Sequence, residues 1–76
     1  MKTVNIKLET INDVKAFVNA VSNYNFDVDL VSGRYAIDAK SIMGIFSLDL
    51  SKAIELQAHT EEPDAFFAEI KPFIVG

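Results

Sequence analysis

The chain has 76 residues, half of them hydrophobic, which suffices for one compact core, so we expect residues 1–76 to form a single domain. With no cysteine it can form no disulfide or thiolate metal site, and its net charge of −4 argues against a nucleic-acid binder, which would show a basic patch. The first residues lack the apolar core of a signal peptide, and the longest apolar run, residues 42–46, is too short to span a membrane, so we expect a cytoplasmic protein without membrane insertion.

The first two elements are distinguished by the spacing of their apolar residues. Polar and apolar residues alternate from Val4 to Leu8, which predicts a strand with one buried face. Through residues 11–21 the apolar spacing lengthens to three or four, which predicts an amphipathic helix. Thr10 followed three residues later by Asp13 resembles a capping box and marks the start of that helix.

Two short alternating segments come next, residues 26–30 and 35–37. Ser32-Gly33 between them is a candidate two-residue turn, because glycine readily adopts a positive φ, so the two segments predict a β-hairpin. Ser41 then stands at the start of a short helix that we expect to reach about Leu48.

The last part of the chain contains one more strand and one more helix. Residues 54–58 alternate, and Glu61-Glu62-Pro63-Asp64 suits the first turn of a helix that Pro72 should end near Lys71. The predicted order is therefore β-α-β-β-α-β-α. Four amphipathic strands leave one sheet face wet and three helices must cover the other, so the predicted fold class is α+β, a two-layer sandwich.

The segment from Ala39 to Leu50 reads Ala-Lys-Ser-Ile-Met-Gly-Ile-Phe-Ser-Leu-Asp-Leu. It closely resembles the regulatory-serine region of HPr, the small phosphocarrier of the bacterial sugar phosphotransferase system. Phe17-Val18 is similar to a pair often found in the first helix of HPr-like proteins. The predicted element order is also that of HPr, so the resemblance implies an open-faced β-sandwich with a four-stranded antiparallel sheet and three helices on one face.

This resemblance implies that Ser41 is a regulatory site, since a dedicated HPr kinase phosphorylates the matching serine in low-GC Gram-positive bacteria. A phosphoserine adds about −1.5 to −2 charge, which the adjacent Lys40 could help offset. The resemblance also implies that Ile45 turns inward while neighbouring residues join Lys40 in contacting a partner. These neighbours are Ile42, Met43 and Phe46. The simpler alternative is that Ser41 only caps the helix and that the apolar residues belong to the core.

A second HPr motif, Gly-Leu-His-Ala-Arg-Pro, should fall between the first strand and the first helix. This chain has Leu8-Glu9-Thr10-Ile11-Asn12-Asp13 there, with Thr10 at the position of the carrier histidine and Asn12 near that of the arginine. Neither side chain can perform phosphohistidine chemistry, which needs an imidazole nitrogen as nucleophile. We therefore assign no catalytic residue and expect no enzyme. The resemblance is to HPr-like proteins that keep the serine and lack the histidine, as in the catabolite-repression HPr paralogue of bacilli.

The single histidine, His59, follows the predicted fourth strand. With no cysteine or second histidine nearby, we expect an exposed strand-end residue rather than a metal ligand or a catalytic group, and we expect no metal and no other cofactor. Asp27 and Asp29 should share the solvated face of a strand.

Three functions follow from these observations. The first is a non-catalytic regulatory or interaction protein of the phosphotransferase system or of carbon catabolite control. Its partners would be proteins of that system or a regulator of carbon metabolism, and an HPr kinase would act on Ser41. The second is a working phosphocarrier, for which only His59 could accept phosphate from Enzyme I. The third is a decayed paralogue that serves only as a small scaffold.

Overall fold

The computed structural model describes residues 1–76 as a four-stranded antiparallel sheet with helices on one face. The strands are β1 (Lys2–Ile6), β2 (Val28–Ser32), β3 (Tyr35–Asp38) and β4 (Ile54–Ala58). The helices are α1 (Ile11–Ser22), α2 (Ile42–Phe46) and α3 (Asp64–Glu69), and one turn of 3₁₀ helix, Lys71–Phe73, follows α3. The predicted element order and the α+β open-faced sandwich are confirmed. None of these helices has the length and hydrophobicity needed to cross a bilayer.

The strand order in the sheet is β1-β4-β2-β3, so the last strand in sequence lies between the first two. In β4, Leu56 faces Val4 on one side and Leu30 on the other. The C-terminal residues cover the outer edge of β1, where the N–H of Asn5 donates to the carbonyl of Gly76 at 2.9 Å. The opposite edge of the sheet is β3, which pairs only with β2.

The core is one cluster of 14 buried residues between the sheet and the helices. Phe17 of α1 and Phe66 of α3 are its largest side chains, and both are fully buried. Each such residue contributes roughly 1.5–3 kcal/mol through removal of apolar surface from water. The rings of Tyr24 and Phe26 pack against Phe66, with centroid distances of 5.1 and 5.4 Å. The remaining buried residues are Ile6, Leu8, Val14, Val21, Val28, Leu30, Ala39, Ile45, Ile54, Leu56, Ala58 and Ile70.

Strand β1 is shorter than its alternating pattern. The strand ends at Ile6, which pairs with Ile54, the first residue of β4. Beyond this point the N–H of Lys7 donates to the carbonyl of Phe73 at 2.8 Å, so the backbone leaves β4 and pairs with the C-terminal segment. Leu8 is nevertheless fully buried, so its apolar position in the pattern marks the core and not the strand.

The hairpin turn and α2 also differ from the sequence-based expectation. The turn is Gly33-Arg34, one residue later than predicted, because Ser32 pairs with Tyr35. Gly33 is the only residue with a positive φ, which is +60°. A positive φ at the first of the two turn residues is the arrangement of a type II′ turn. Helix α2 ends at Phe46 instead of near Leu48, since the hydroxyl of Ser47 donates to the carbonyl of Gly44 and closes the last turn.

The last helix is likewise shorter than predicted. Pro63 lies just before α3, at its N-cap, and not within the first turn. The α-helix ends at Glu69, and Pro72 lies in the 3₁₀ turn that follows, where it cannot continue the α-helical hydrogen bonds. Phe66 is fully buried, whereas Phe67 and Phe73 are only half-buried against the core.

Candidate functional site

Ser41 lies between β3 and α2, with its side chain exposed. Its backbone is extended (φ −98°, ψ 103°), and its Oγ accepts a hydrogen bond from the N–H of Gly44 at 3.2 Å. Ser41 is therefore the N-cap of α2, as its position in the sequence predicts. The hydroxyl remains accessible to solvent, so capping leaves it open to modification.

The five residues of α2 divide between core and surface. Ile45 is fully buried, as expected, and Ile42 is half-buried against the core. Met43 and Phe46 are 78% and 43% exposed. A short helix on a sheet can turn only one side inward, and the other side remains in solvent. We call Ile42, Met43 and Phe46 the α2 patch.

Lys40 is half-buried and its ammonium is already engaged. Its Nζ donates to the carbonyl of Tyr24 at 2.9 Å, in the loop just after α1. Its backbone N–H donates to Oδ1 of Asp38 at 2.8 Å. In the unmodified protein the Lys40 ammonium therefore stabilises the end of α1. That Lys40 helps to offset the charge of a phosphorylated Ser41 stays a prediction.

Thr10, at the position that matches the carrier histidine, is the N-cap of α1. Its Oγ1 accepts from the N–H of Asp13 at 3.0 Å, and Oδ2 of Asp13 accepts from the N–H of Thr10 at 3.3 Å and of Glu9 at 3.1 Å. The predicted capping box is confirmed. The Thr10 hydroxyl therefore has a structural role, and no imidazole stands at this helix start.

His59 is an exposed residue directly after β4, as predicted. Its Nε2 lies 2.8 Å from Oδ2 of Asp29, and its backbone N–H donates to the carbonyl of Asp27 at 2.9 Å. Ile54 at the start of β4 pairs with the end of β1, which leads to Thr10, whereas His59 follows the other end of the strand. The length of β4 therefore separates the two positions by about 13 Å or more.

Asp27 and Asp29 share the exposed sheet surface with a third carboxylate that the sequence pattern did not identify. Asp38 lies directly opposite Asp29 in the β2–β3 register, and these aspartates line one shallow cleft with His59. Correct placement of the hairpin turn would have revealed Asp38, because the turn fixes the register. No group of three or more acidic, histidine or cysteine residues is arranged to hold a metal ion.

The predicted site residues fall on two helix starts, that of α1 and that of α2. Ser41 is the N-cap of the short helix that carries the α2 patch, and residues three or four apart on that helix, such as Met43 and Phe46, are neighbours. Thr10 hydrogen-bonds only at the start of α1 and Ser41 only around the start of α2, so no hydrogen bond joins the two positions.

Several solved HPr structures have the same fold as this chain. HPr-C-His from Thermoanaerobacter tengcongensis aligns with a TM-score of 0.79 and 24% identity over 95% of this chain and 89% of that one. Phosphocarrier protein HPr from Bacillus anthracis str. Ames aligns with a TM-score of 0.72 and 20% identity over 97% of this chain and 94% of that one. The histidine-containing phosphocarrier protein of Mycoplasma aligns with a TM-score of 0.72 and 17% identity over 99% of this chain and 98% of that one. At these identities the likeness concerns the fold alone. No curated protein sequence matches the chain.

A family comparison extends this likeness from fold to sequence. The family model described as "PTS HPr component phosphorylation site" matches residues 12–74. The matched region includes β2, β3, β4 and the Ser41 segment, and it starts two residues after Thr10. Because it covers most of the chain, the chain belongs to the HPr family of the phosphotransferase system.

Proposed function

We propose that this HPr-family protein acts by binding a partner protein, that it does not carry phosphate on a histidine, and that phosphorylation of Ser41 controls the binding. HPr proteins are phosphocarriers rather than enzymes, and they interact with other proteins of the phosphotransferase system. The observation that carries the proposal is the exposed α2 patch beside an accessible serine, in a chain whose carrier position holds a threonine cap.

The start of α1 supports the absence of histidine phosphotransfer. Thr10 offers only a hydroxyl, and that hydroxyl accepts the hydrogen bond of the Asp13 N–H. The one imidazole in the chain, His59, lies beyond the opposite end of β4 and is paired with Asp29. A donor protein docked at the start of α1 would therefore meet no nitrogen nucleophile.

The α2 patch supports partner binding. Met43 and Phe46 leave apolar surface in water that burial in an interface would remove. Methionine and aromatic side chains suit such contacts because methionine adapts its shape and aromatics supply a large area. The partners that fit are proteins of the phosphotransferase system or a regulator of carbon metabolism.

The charges around Ser41 indicate how phosphorylation would act. A phosphoryl group on Oγ would add about −1.5 to −2 charge at the edge of the α2 patch. Within the chain this charge would be poorly neutralised, because the Lys40 ammonium is bound to Tyr24 and the Asp38 carboxylate accepts the N–H of Lys40 close by. We therefore expect the phosphorylated form to favour a partner that supplies arginine or lysine.

Two parallel reactions on the purified protein test the proposal. One contains an HPr kinase with ATP and the other Enzyme I with phosphoenolpyruvate, each with an HPr of known activity as positive control. We expect phosphate on Ser41 in the first reaction and none in the second, mapped by mass spectrometry. Ser41→Ala should abolish the label, and Ser47→Ala, which alters an exposed serine at the other end of α2, should retain it.

The alternative functions give different results in the same reactions. Acid-labile phosphate on His59 would support a working phosphocarrier. Absence of label in both reactions, while the control HPr is labelled, would contradict regulation at Ser41 and favour a scaffold. For binding, we expect Met43→Ser to weaken association with the partner at least tenfold without changing the free energy of unfolding, since Met43 is exposed.

A further inference from the structure

The two edges of the sheet are not equivalent. Along β1 the C-terminal residues occupy the outer edge through the hydrogen bonds between Asn5 and both Val75 and Gly76. Along β3 no segment of the chain pairs with the outer edge. Tyr35 is 71% exposed, and Ala36 and Asp38 are also exposed. An open edge of this kind can accept another strand.

The backbone groups that β3 offers follow from its register with β2. The N–H of Ala39 donates to the carbonyl of Val28, and hydrogen-bonded pairs alternate along an antiparallel ladder. Ala36, opposite Val31, is therefore in a non-hydrogen-bonded pair with β2, so its N–H and C=O point outward from the free edge of β3. The N–H of Asp38 points the same way, whereas its C=O already accepts the N–H of Ser41.

Charge of opposite sign lies at the two ends of this edge. Beside the hairpin turn, Arg34 and Lys52 line a cleft with a volume of about 440 Å³. Asp49 also lines this cleft, and its carboxylate accepts hydrogen bonds from Ser51. At the other end, Asp38 lies next to the Asp27 and Asp29 carboxylates. A strand with the same charge distribution, laid antiparallel, would place positive charge against negative at both ends.

The strand that fits this description is β3 of a second copy. We propose that two copies of this chain pair through β3 in an antiparallel arrangement, with Ala36 opposite Ala36 of the second copy at the two-fold axis. Arg34 then faces Asp38 of the second copy on the exposed sheet surface, and symmetry repeats this ion pair. Centring the axis on Asp38 would instead oppose two carboxylates. This inference is independent of the proposed role of Ser41.

The side chains on the helix side of the edge agree with this register. Ile37 contacts α2 and is half-buried, and the strand alternation places Tyr35 on the same side. With Ala36 at the axis, Tyr35 faces Ile37 of the second copy in a non-hydrogen-bonded pair, where side chains approach most closely. The pairing therefore covers the largest exposed aromatic surface of the edge.

Sedimentation equilibrium over a range of protein concentrations tests the pairing. We expect a reversible dimer, and Arg34→Asp should raise its dissociation constant about tenfold, because two ion pairs become two repulsions. The swap Arg34→Asp with Asp38→Arg should restore pairing, since each copy again presents opposite charges. Lys15→Asp makes the same change of charge on the exposed face of α1 and should leave the dissociation constant unchanged.

A backbone variant keeps the test independent of charge. Ala36→Pro removes the outward N–H and blocks the edge, while an edge strand tolerates proline at such a position. Circular dichroism should show that this variant is folded, and sedimentation should show it as a monomer. A native protein that stays monomeric at all concentrations, or a dimer that persists in folded Ala36→Pro, would overturn the proposal.

Discussion

Ser41 and Gly44 fit against each other at the start of α2. The Oγ of Ser41 accepts the N–H of Gly44 at 3.2 Å, and a Cβ on residue 44 would lie 3.2 Å from that oxygen and 3.2 Å from Cδ1 of Ile37. Any side chain at position 44 would therefore press on both the cap and the edge strand. The helix that presents the α2 patch depends on this close approach.

Replacing Ser41 separates its capping role from its proposed regulatory role. Ser41→Ala removes the acceptor for the Gly44 N–H and should lower the free energy of unfolding by about 1 kcal/mol. Ser41→Asp keeps a good N-cap and should remain close to the native value. Urea denaturation measures both. Ser22→Ala, at the exposed end of α1, is the control and should change stability by about 0.5 kcal/mol or less. Equal stability of Ser41→Ala and the native protein would mean that the hydroxyl does not cap α2 in solution.

Gly44→Ala should have a context-dependent effect. Alanine favours helix by about 1 kcal/mol over glycine, but here its Cβ would push the Ser41 Oγ out of capping geometry, which costs about the same. We expect little net change in the native background and a stabilisation of about 0.5–1 kcal/mol when Ser41 is already alanine. A double-mutant cycle of unfolding free energies measures this difference. Strictly additive effects would show that the two positions do not interact.

The capping box of α1 should contribute measurably to stability. Thr10→Ala removes the acceptor for the Asp13 N–H and should lower the free energy of unfolding by about 1 kcal/mol. Thr10→Ser retains a hydroxyl in the same place and should be nearly neutral, which makes it the matched control. Thermal denaturation followed by circular dichroism compares the three proteins. An equal loss in both variants would indicate that the Thr10 methyl group, and not its hydroxyl, is responsible.

Asp49 gives a pH-dependent prediction. The hydroxyl and the backbone N–H of Ser51 donate to its carboxylate, and with nearby Lys52 they hold the pKa of Asp49 below its ordinary value. Because the folded-state pKa is the lower one, the resulting stability is present above the ordinary carboxyl pKa and is lost as pH falls through the folded-state pKa. Ser51→Ala should raise the pKa of Asp49 toward its ordinary value, as followed by NMR titration of the carboxyl carbon. Ser51→Thr keeps the hydroxyl and the backbone N–H as donors and should leave the pKa of Asp49 below its ordinary value.

The sequence was most informative where a local interaction determines the structure. The Thr10–Asp13 capping box and the Ser41 cap each depend on residues three apart, and both form as predicted. The hairpin turn was misplaced by one residue because Ser32-Gly33 and Gly33-Arg34 both contain the glycine, and only the β2–β3 register decides between them.

Long-range contacts could not be read from the pattern. The bond from Lys40 to the Tyr24 carbonyl joins residues distant in sequence, and nothing local to Lys40 signals it. The pairing of Gly76 with Asn5 likewise depends on how the sheet brings the chain termini together. For the candidate site, the inward side of Ile45 was predicted correctly, while the engagement of the Lys40 ammonium was missed.

The central position of β4 has a consequence for the order in which the protein can fold. Strand β1 pairs with β4 and with no other strand, and the β2–β3 hairpin likewise joins the sheet only through β4. During synthesis, the sheet therefore cannot form until residue 58 has left the ribosome, and until then the apolar sides of β1 and α1 have no sheet to pack against. An isolated two-stranded hairpin is at best marginally stable, so we expect the sheet to form in one cooperative step late in translation. A chain truncated before Ile54 should consequently expose its apolar residues and be prone to aggregate.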